Sequence, residues 1–256
     1  MHATDPDFFI VIPARFDSSR FPGKPLAEIH GRPMIAHVID RANACGAAAV
    51  IVATDNDAVS AAAEAAGARV CITSPDHPSG TDRIAEVAVA EGWSDDTLVV
   101  NLQGDEPLTP ASVVRQVAAN LATQDWAGIA TLCTPITSLA DFRNPNIVKV
   151  VSGANGRALY FSRSPVPFVR DAPDTVPPMA ARHIGLYAYR VGFLRHWQSL
   201  SESPLESLEK LEQLRAMEAG VAIHVETAVE VPPHGVDTPE QLDAVSRFMA
   251  DSGYQT

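Results

Sequence analysis

The amino-acid sequence predicts an α/β fold, an αβα sandwich built on a mostly parallel sheet. Patterns of buried strands and amphipathic helices alternate with short links over about the first 130 residues, which is typical of parallel strands covered by helices. The chain has 256 residues, of which 46% are hydrophobic. That length and composition suit one large domain with a sizeable core, so we expect a single domain over 1–256.

The first elements show this pattern clearly. Residues 8–13 are an apolar run ended by proline, as in a strand buried on both faces. Apolar residues in 33–45 recur at helical spacing, with Pro33 in the first turn and Gly46 as the C-cap. The same reasoning predicts strands at 48–54, 69–73, 97–102 and 128–134 and helices at 57–66, 81–91 and 110–123.

The pattern changes in the second half of the chain. Residues 147–151 and 157–161 flank a Ser-Gly-Ala-Asn-Gly segment, which predicts a β-hairpin. This hairpin would be an excursion from the sheet that serves as a lid or a dimer surface. The proline-rich residues 164–178 predict a loop or flap. The remaining predicted elements are strands 183–190 and 222–231 and helices 205–219 and 237–251.

Composition and charge exclude several classes of protein. The chain carries 19 Lys and Arg against 31 Asp and Glu, a net charge of −12, which disfavours binding to nucleic acid or anionic membrane. No apolar run approaches the roughly 20 residues of a membrane span, and the acidic N-terminus is unlike a signal peptide. Cys45, Cys71 and Cys133 lie far apart in apolar runs, so we expect buried free thiols. These observations predict a cytoplasmic protein without nucleic-acid partners or membrane insertion.

A cluster of cations follows the first predicted strand. Arg15, Arg20 and Lys24 fall within ten residues of one loop, close to Gly23. In open α/β sheets, ligands bind beyond the carboxyl ends of the strands, where this loop must lie. Arg and Lys suit phosphate, although a solvated surface loop is an equal alternative. Since the loop matches neither a Walker A motif nor a Gly-x-Gly-x-x-Gly turn, we predict a different kind of phosphate-binding loop.

Acidic residues follow two other predicted strands. Asp105 and Glu106 follow strand 97–102, and Asp237 follows strand 222–231. Mg²⁺ prefers one or two carboxylates together with substrate phosphates, so Asp105 and Asp237 would form a phosphate-bridging metal site. The alternatives are an acidic turn at Asp105 and a helix N-cap at Asp237.

The segment 74–83 is a third candidate. Thr81 can cap the helix that follows, while Ser79 and Gly80 can present backbone N–H groups to an anion or a base. An ordinary capped turn is the alternative. His77 is better explained as a loop residue than as a metal ligand, because no Cys or His stands at ligand spacing.

Seven segments together resemble the 3-deoxy-manno-octulosonate (Kdo) cytidylyltransferases, or CMP-Kdo synthetases. They are residues 12–26, 79–83, 101–107, 160–167, 182–187, 206–215 and 235–240. The first segment is shared with other Rossmann-like nucleotidyltransferases, and the later four make the resemblance specific. Asp82 and Leu102 stand where many relatives have Glu and Val.

The resemblance implies a Rossmann-like fold and a Mg²⁺-dependent transfer of CMP from CTP to the anomeric hydroxyl of Kdo, for lipopolysaccharide biosynthesis. It also implies a homodimer, with a nucleotide-binding half at about 1–135 and a sugar-binding and dimerisation half at about 136–256. The implied nucleotide-binding residues are Arg15, Arg20, Lys24, Ser79, Gly80, Thr81 and Arg83. The implied catalytic residues are Arg15, Lys24 and Asp105, and the implied Mg²⁺ ligands are Asp105 and Asp237. The implied sugar-binding residues are Gln103, Arg163, His183, Tyr187, Glu212 and Gln213.

Three other functions fit parts of the sequence. A cytidylyltransferase for another acidic sugar, such as a sialic acid, would share the cations and the metal aspartates. A non-catalytic nucleotide sensor would not need both Asp105 and Asp237. A dinucleotide oxidoreductase is disfavoured by the missing glycine motif.

Overall fold

A computed structural model of the chain describes residues 6–17, 21–233 and 235–251. Over these residues the strands are β1 (Phe8–Pro13), β2 (Glu28–Ile29), β3 (Arg32–Pro33), β4 (Ala49–Thr54), β5 (Arg69–Ile72), β6 (Leu98–Asn101), β7 (Ile129–Pro135), β8 (Lys149–Ser152), β9 (Ala158–Ser162), β10 (Ala181–Arg190) and β11 (Ile223–Thr227). The helices are α1 (Met34–Asn43), α2 (Asp57–Ala65), α3 (Gly80–Ala90), α4 (Ala111–Thr123), α5 (Leu139–Arg143), α6 (Val191–Trp197), α7 (Pro204–Glu209), α8 (Gln213–Glu218) and α9 (Pro239–Asp251), with a 3₁₀ turn at Lys24–Leu26.

The strands form a mixed sheet in the order β11-β7-β10-β6-β1-β4-β5. β1 pairs in parallel with β4 and β6, β4 with β5, and β7 with β11. β10 runs antiparallel between β6 and β7. β8 and β9 form an antiparallel hairpin that branches from β10. The predicted α/β fold is therefore confirmed, and the hairpin lies where the sequence placed it.

Two apolar cores lie on opposite faces of the sheet, as the alternating side chains of a strand require. Ile10 and Ile12 of β1 pack on one face with Ile35 of α1. Val11, between them in the chain, packs on the other face with Ile84 of α3. This arrangement fixes the loops after β1 and β6 at one edge of the sheet. No helix among the described residues is long and apolar enough to span a bilayer.

Several sequence predictions need correction. The helix expected at 205–219 is two helices, α7 and α8, because Lys210 adopts a left-handed φ of 52°. Lysine is a good helix former, so nothing in the local composition signals this break. The strand expected at 222–231 ends at Thr227, and α5, α6 and the β2–β3 hairpin were missed. Cys45 and Cys133 are buried free thiols, whereas Cys71 is partly exposed because β5 is an edge strand.

The turn of the β8–β9 hairpin depends on Gly156. Its φ is +76°, and a Cβ there would lie 2.8 Å from His224 Nε2. We expect Gly156→Ala to lower the free energy of unfolding by about 2–3 kcal/mol, through left-handed strain and this close contact. Gly46→Ala is the matched control, since Gly46 has a similar φ of +73° with nothing within 4 Å, and should cost about 1 kcal/mol. Urea denaturation measures both, and equal losses would contradict the contact.

Candidate active site

A polar cleft of about 380 Å³ lies beyond the carboxyl ends of β1 and β6. The residues that line it are Pro13, Ala14, Arg15, Asp17, Lys24, Pro25, Gly80, Gln103, Gly104, Asp105 and Asp237. We call this the phosphate cleft. It brings together the expected catalytic set and both expected metal ligands, which lie far apart in the sequence.

Lys24 occupies the centre of the phosphate cleft. Its Nζ donates to Asp105 Oδ2 at 2.5 Å and lies 3.3 Å from Asp237 Oδ1. Gly23, with a left-handed φ of 71°, begins the 3₁₀ turn that presents Lys24. Val236 N donates to the Asp105 carbonyl oxygen at 2.8 Å, which holds the loop of Asp237 against that of Asp105. Two carboxylates therefore converge on one cation position.

The donor set of the phosphate cleft fits a hard divalent cation such as Mg²⁺. Asp105 and Asp237 would supply two carboxylates, and phosphate oxygens of a substrate would supply further ligands. No three His, Cys, Asp or Glu side chains in the described ranges gather as a complete metal cage. Nearby, burial raises the pKa of Glu106 to about 7, against the effect of a 2.8 Å hydrogen bond from Thr109 Oγ1.

A second cavity of about 260 Å³ adjoins the phosphate cleft, because Gly80 and Gln103 line both. We call it the polar pocket. The residues that line it are Gly80, Thr81, Asn101, Gln103, Ile129, Tyr187, Tyr189, Phe193, Trp197, Lys210, Leu211, Glu212, Gln213 and Ala216. Four of the six expected sugar-binding residues lie here: Gln103, Tyr187, Glu212 and Gln213.

Glu212 joins the two halves of the chain across the polar pocket. Its Oε2 accepts a hydrogen bond from Thr81 Oγ1 at 3.1 Å. Burial raises the pKa of Glu212, while the bond from Thr81 opposes that shift. Tyr187 lies opposite Asn101 in the register of β10 with β6. The floor of the pocket is therefore the seam between these two strands.

The segment that begins α3 is only partly directed at the cavities. Gly80 and Thr81 line them, but the Ser79 hydroxyl donates to Asp82 Oδ2 at 2.5 Å and caps the helix. Arg83 is fully buried, paired with Asp55 at 3.0 Å and bonded to Thr73. It lines neither cavity and instead ties together the ends of β4 and β5. Arg20 lies outside the described residues.

Arg163 supports the polar pocket from outside. Its guanidinium donates to the carbonyl oxygens of Glu209 at 2.6 Å, Pro145 at 3.0 Å and Lys210 at 3.4 Å. These bonds hold the break between α7 and α8, next to Glu212. The resemblance implied that Arg163 binds the sugar, but local packing engages this guanidinium with backbone carbonyls.

His183 also lies behind the lining of the polar pocket, where its ring is 5.3 Å from that of Tyr187. His183 Nε2 is 3.0 Å from Thr131 Oγ1, and that hydroxyl donates to the carbonyl oxygens of Ile184 and Leu186. Because Thr131 has one hydroxyl hydrogen, this arrangement favours a proton on Nε2. The resemblance implied that His183 binds the sugar, whereas the ring is outside the lining of the polar pocket and this tautomer leaves Nδ1 as an acceptor.

Comparison with known proteins agrees with the geometry of the two cavities. A family model described as cytidylyltransferase matches residues 9–223. The chain belongs to the cytidylyltransferase family. Its structure is similar to that of a CMP:2-keto-3-deoxy-manno-octonic acid synthetase complexed with CTP, with 43% identity, a TM-score of 0.88 and coverage of 96% of this chain and 100% of that one. This cytidylyltransferase is therefore a nucleotidyltransferase enzyme.

A second solved structure shares the fold of this cytidylyltransferase. It is a cytidylyltransferase from Leptospira borgpetersenii serovar Hardjo-bovis (strain JB197), with 17% identity and a TM-score of 0.65. The match covers 98% of this chain and 89% of that one. At this identity, the likeness shows the fold alone.

Sequence reasoning missed several residues that line the polar pocket of the cytidylyltransferase. Trp197 closes α6, a helix that was not predicted, and Tyr189 follows Tyr187 on the same face of β10. Lys210 enters the lining through the break before α8. Period-two alternation beyond Tyr187 was the available signal for Tyr189; the break at Lys210 had none.

The half-buried, desolvated ring of His183 predicts a pH effect on the stability of the cytidylyltransferase. Burial lowers the pKa of His183 to about 3, against a usual value of 6.5. The unfolded chain therefore binds a proton that the folded chain does not, and stability falls as the pH drops below 6.5 toward 3. We expect the free energy of unfolding to fall by about 2 kcal/mol less in His183→Gln than in the wild type between pH 7.5 and pH 5, as measured by urea denaturation. An equal fall in both proteins would contradict a neutral ring in the folded state.

Proposed function

We propose that the chain is a 3-deoxy-manno-octulosonate cytidylyltransferase. It transfers CMP from CTP to the anomeric hydroxyl of Kdo, releases pyrophosphate and serves lipopolysaccharide biosynthesis. The observation that carries this proposal is the adjacency of the phosphate cleft and the polar pocket, which share Gly80 and Gln103. The 43% identity to a CMP:2-keto-3-deoxy-manno-octonic acid synthetase supports the choice of sugar.

The phosphate cleft suits the triphosphate of CTP. In-line attack on the α-phosphorus needs positioning and charge neutralisation more than a protein nucleophile. Arg15 and Lys24 would bind the triphosphate, and Asp105 and Asp237 would hold Mg²⁺. When bound, Mg²⁺ supplies neutralisation of the phosphate charge. Gly80 and Thr81 then border the nucleoside.

Ser79 and Arg83, also proposed for the nucleotide, have indirect roles. Ser79 caps α3 and so fixes the backbone N–H groups of its first turn, which carries Gly80. Arg83 holds the same turn from the interior through its ion pair with Asp55. Arg20, in the same basic segment as Arg15, remains a proposed contact to the triphosphate.

The polar pocket suits a polyhydroxylated acid. Glu212 can accept hydrogen bonds from sugar hydroxyls, and the amides of Gln103 and Gln213 can donate to a carboxylate or accept from a hydroxyl. His183 would accept through Nδ1 or orient Tyr187. Arg163 would act by holding the backbone that precedes Glu212.

Pyrophosphate release from CTP and Mg²⁺ tests this proposal directly. We expect rapid release with Kdo and little with N-acetylneuraminate or with no sugar. Preference for N-acetylneuraminate would assign the polar pocket to a sialic acid. CTP binding without release in the presence of any acidic sugar would indicate a nucleotide sensor.

A variant of the pocket refines the same assay. We expect Glu212→Ala to raise the KM for Kdo by roughly one to two decades, because a sugar hydroxyl loses its hydrogen-bond acceptor. CTP affinity without Kdo, measured by calorimetry, should stay nearly unchanged. An unchanged KM for Kdo would exclude Glu212 from sugar binding.

We also propose that the protein is a homodimer that uses the β8–β9 hairpin. Leu159 on β9 is 58% exposed, and Phe168 and Met179 in the adjoining loop are 71% and 69% exposed. Large apolar side chains so exposed are typical of surfaces that bind another protein. Sedimentation equilibrium tests this proposal: we expect a dimeric wild type and a monomeric Leu159→Arg. A monomeric wild type would contradict the proposal.

A further inference from the structure

A forked ion pair joins the two helices that form one wall of the polar pocket. Arg215 of α8 donates from Nε and Nη2 to the two carboxylate oxygens of Glu206 of α7, both at 2.6 Å. The side chains are 11% and 8% exposed. Lys210 reverses the chain between them with its left-handed φ of 52°. The pair therefore closes the turn that sets Glu212 and Gln213 in the pocket.

The same guanidinium is connected to the loop that begins α3. Its carbon lies 4.2 Å from the ring centroid of Trp197. Trp197 Nε1 donates to Asp82 Oδ1 at 3.0 Å, and Asp82 Oδ2 accepts from Ser79 Oγ at 2.5 Å. A continuous line of contacts thus runs from α7 and α8 to the first turn of α3, which carries Thr81.

These contacts surround a single short bond across the pocket. Thr81 and Glu212 belong to the two connected parts, and their side chains meet at 3.1 Å. If Arg215 moved, the turn and the indole ring that rests on it would move with it. The separation of Thr81 from Glu212 therefore depends on how Arg215 is held.

We propose that Arg215 is a positioning residue that sets this separation and thereby the affinity for the acidic sugar. The inference rests on the function proposed above. Neither Arg215 nor Glu206 lines the polar pocket or the phosphate cleft, although both line a third cavity of about 470 Å³ together with Glu212. In this proposal Arg215 acts through Glu212, which lines the polar pocket as well. A buried ion pair adds little net stability over an apolar pair of similar size. Its contribution here is direction, because Arg forms two parallel bonds to a carboxylate where Lys forms one.

Steady-state kinetics of two variants test this inference. Arg215→Lys keeps the charge and loses the fork. Trp197→Phe keeps an aromatic ring, and it loses the N–H bond to Asp82 together with part of the ring that lines the polar pocket. We expect the KM for Kdo to rise about tenfold in Arg215→Lys and about threefold in Trp197→Phe. The KM for CTP should change less than about twofold in both.

The matched control is Arg69→Lys, since Arg69 Nη2 bonds both oxygens of Glu91, at 2.7 and 2.9 Å, away from both cavities. It should leave both KM values unchanged. If Arg215→Lys and Trp197→Phe lower the melting temperature but leave the KM for Kdo unchanged, the ion pair has only a structural role and the inference is overturned. If Arg215→Lys fails to fold, the KM of Glu206→Gln decides, because this change weakens the same ion pair from a residue outside both cavities.

The wild type separates this inference from the proposed function. If the wild type turns over Kdo and the variants have an unchanged KM for Kdo, only the role of Arg215 is contradicted. A wild type that neither binds Kdo in calorimetry nor turns it over would contradict both.

Discussion

Asp105→Asn and Asp237→Asn should each lower turnover at least about a hundredfold while the fold stays intact. Both carboxylates face the position that Lys24 Nζ occupies, at 2.5 Å and 3.3 Å. A cation that bridges protein and phosphate contributes several kcal/mol to the transition state, and about 1.4 kcal/mol is a factor of ten in rate. Asn keeps the size of each side chain, and the backbone bond between Val236 and Asp105 does not involve it.

Pyrophosphate release at saturating Mg²⁺ measures the effect of these two changes. Asp243→Asn is the matched control, because Asp243 is exposed on α9 and outside both cavities. It should keep wild-type turnover. A variant at 105 or 237 that keeps more than about a tenth of wild-type turnover would remove that residue from the metal site.

Lys24→Ala should lower kcat/KM for CTP by about a hundredfold, with little change in the KM for Kdo. The ammonium would neutralise charge that grows toward the leaving pyrophosphate. In the free enzyme it neutralises two carboxylates, so its loss should also strengthen Mg²⁺ binding in the absence of CTP. Calorimetry with Mg²⁺ alone measures that second effect, independently of turnover.

Arg247→Ala is the control for removal of a cation, since Arg247 is exposed on α9. It should leave CTP and Mg²⁺ binding unchanged. An increase only in the KM for Kdo in Lys24→Ala would show that Lys24 does not bind the triphosphate.

The fold of the first half was predictable because its helices and strands are set by local periodicity. The run at 8–13 became β1 without a change of bounds, and the stripe at 33–45 became α1 to within two residues at its C-terminal end. Tertiary contacts decided what the sequence did not show. Lys210 breaks a helix that its own propensity favours. β10 lies antiparallel between β6 and β7, an arrangement that no local pattern specifies.

The candidate site was predictable where chemistry and strand ends coincide. The sheet topology brings three residues together at one edge. Asp105 follows the end of β6, Lys24 begins a 3₁₀ turn, and Asp237 precedes α9. Arg83 and Arg163 were less predictable. The resemblance implied substrate contacts for both, but the direction of a side chain depends on packing, and both guanidiniums are bonded to the protein itself.

The position of β10 in the sheet has a consequence for biosynthesis. β6 and β7 are neighbours in the chain, yet each must wait for residues 181–190 before its inner edge is paired. Until those residues emerge from the ribosome, the apolar strand that carries Val99 and Val100 offers an unpaired edge to other nascent chains. A product truncated after residue 135 would keep that edge permanently and should aggregate. The late synthesis of β10 thus determines when the inner edge of β6 is paired and can no longer associate with other chains.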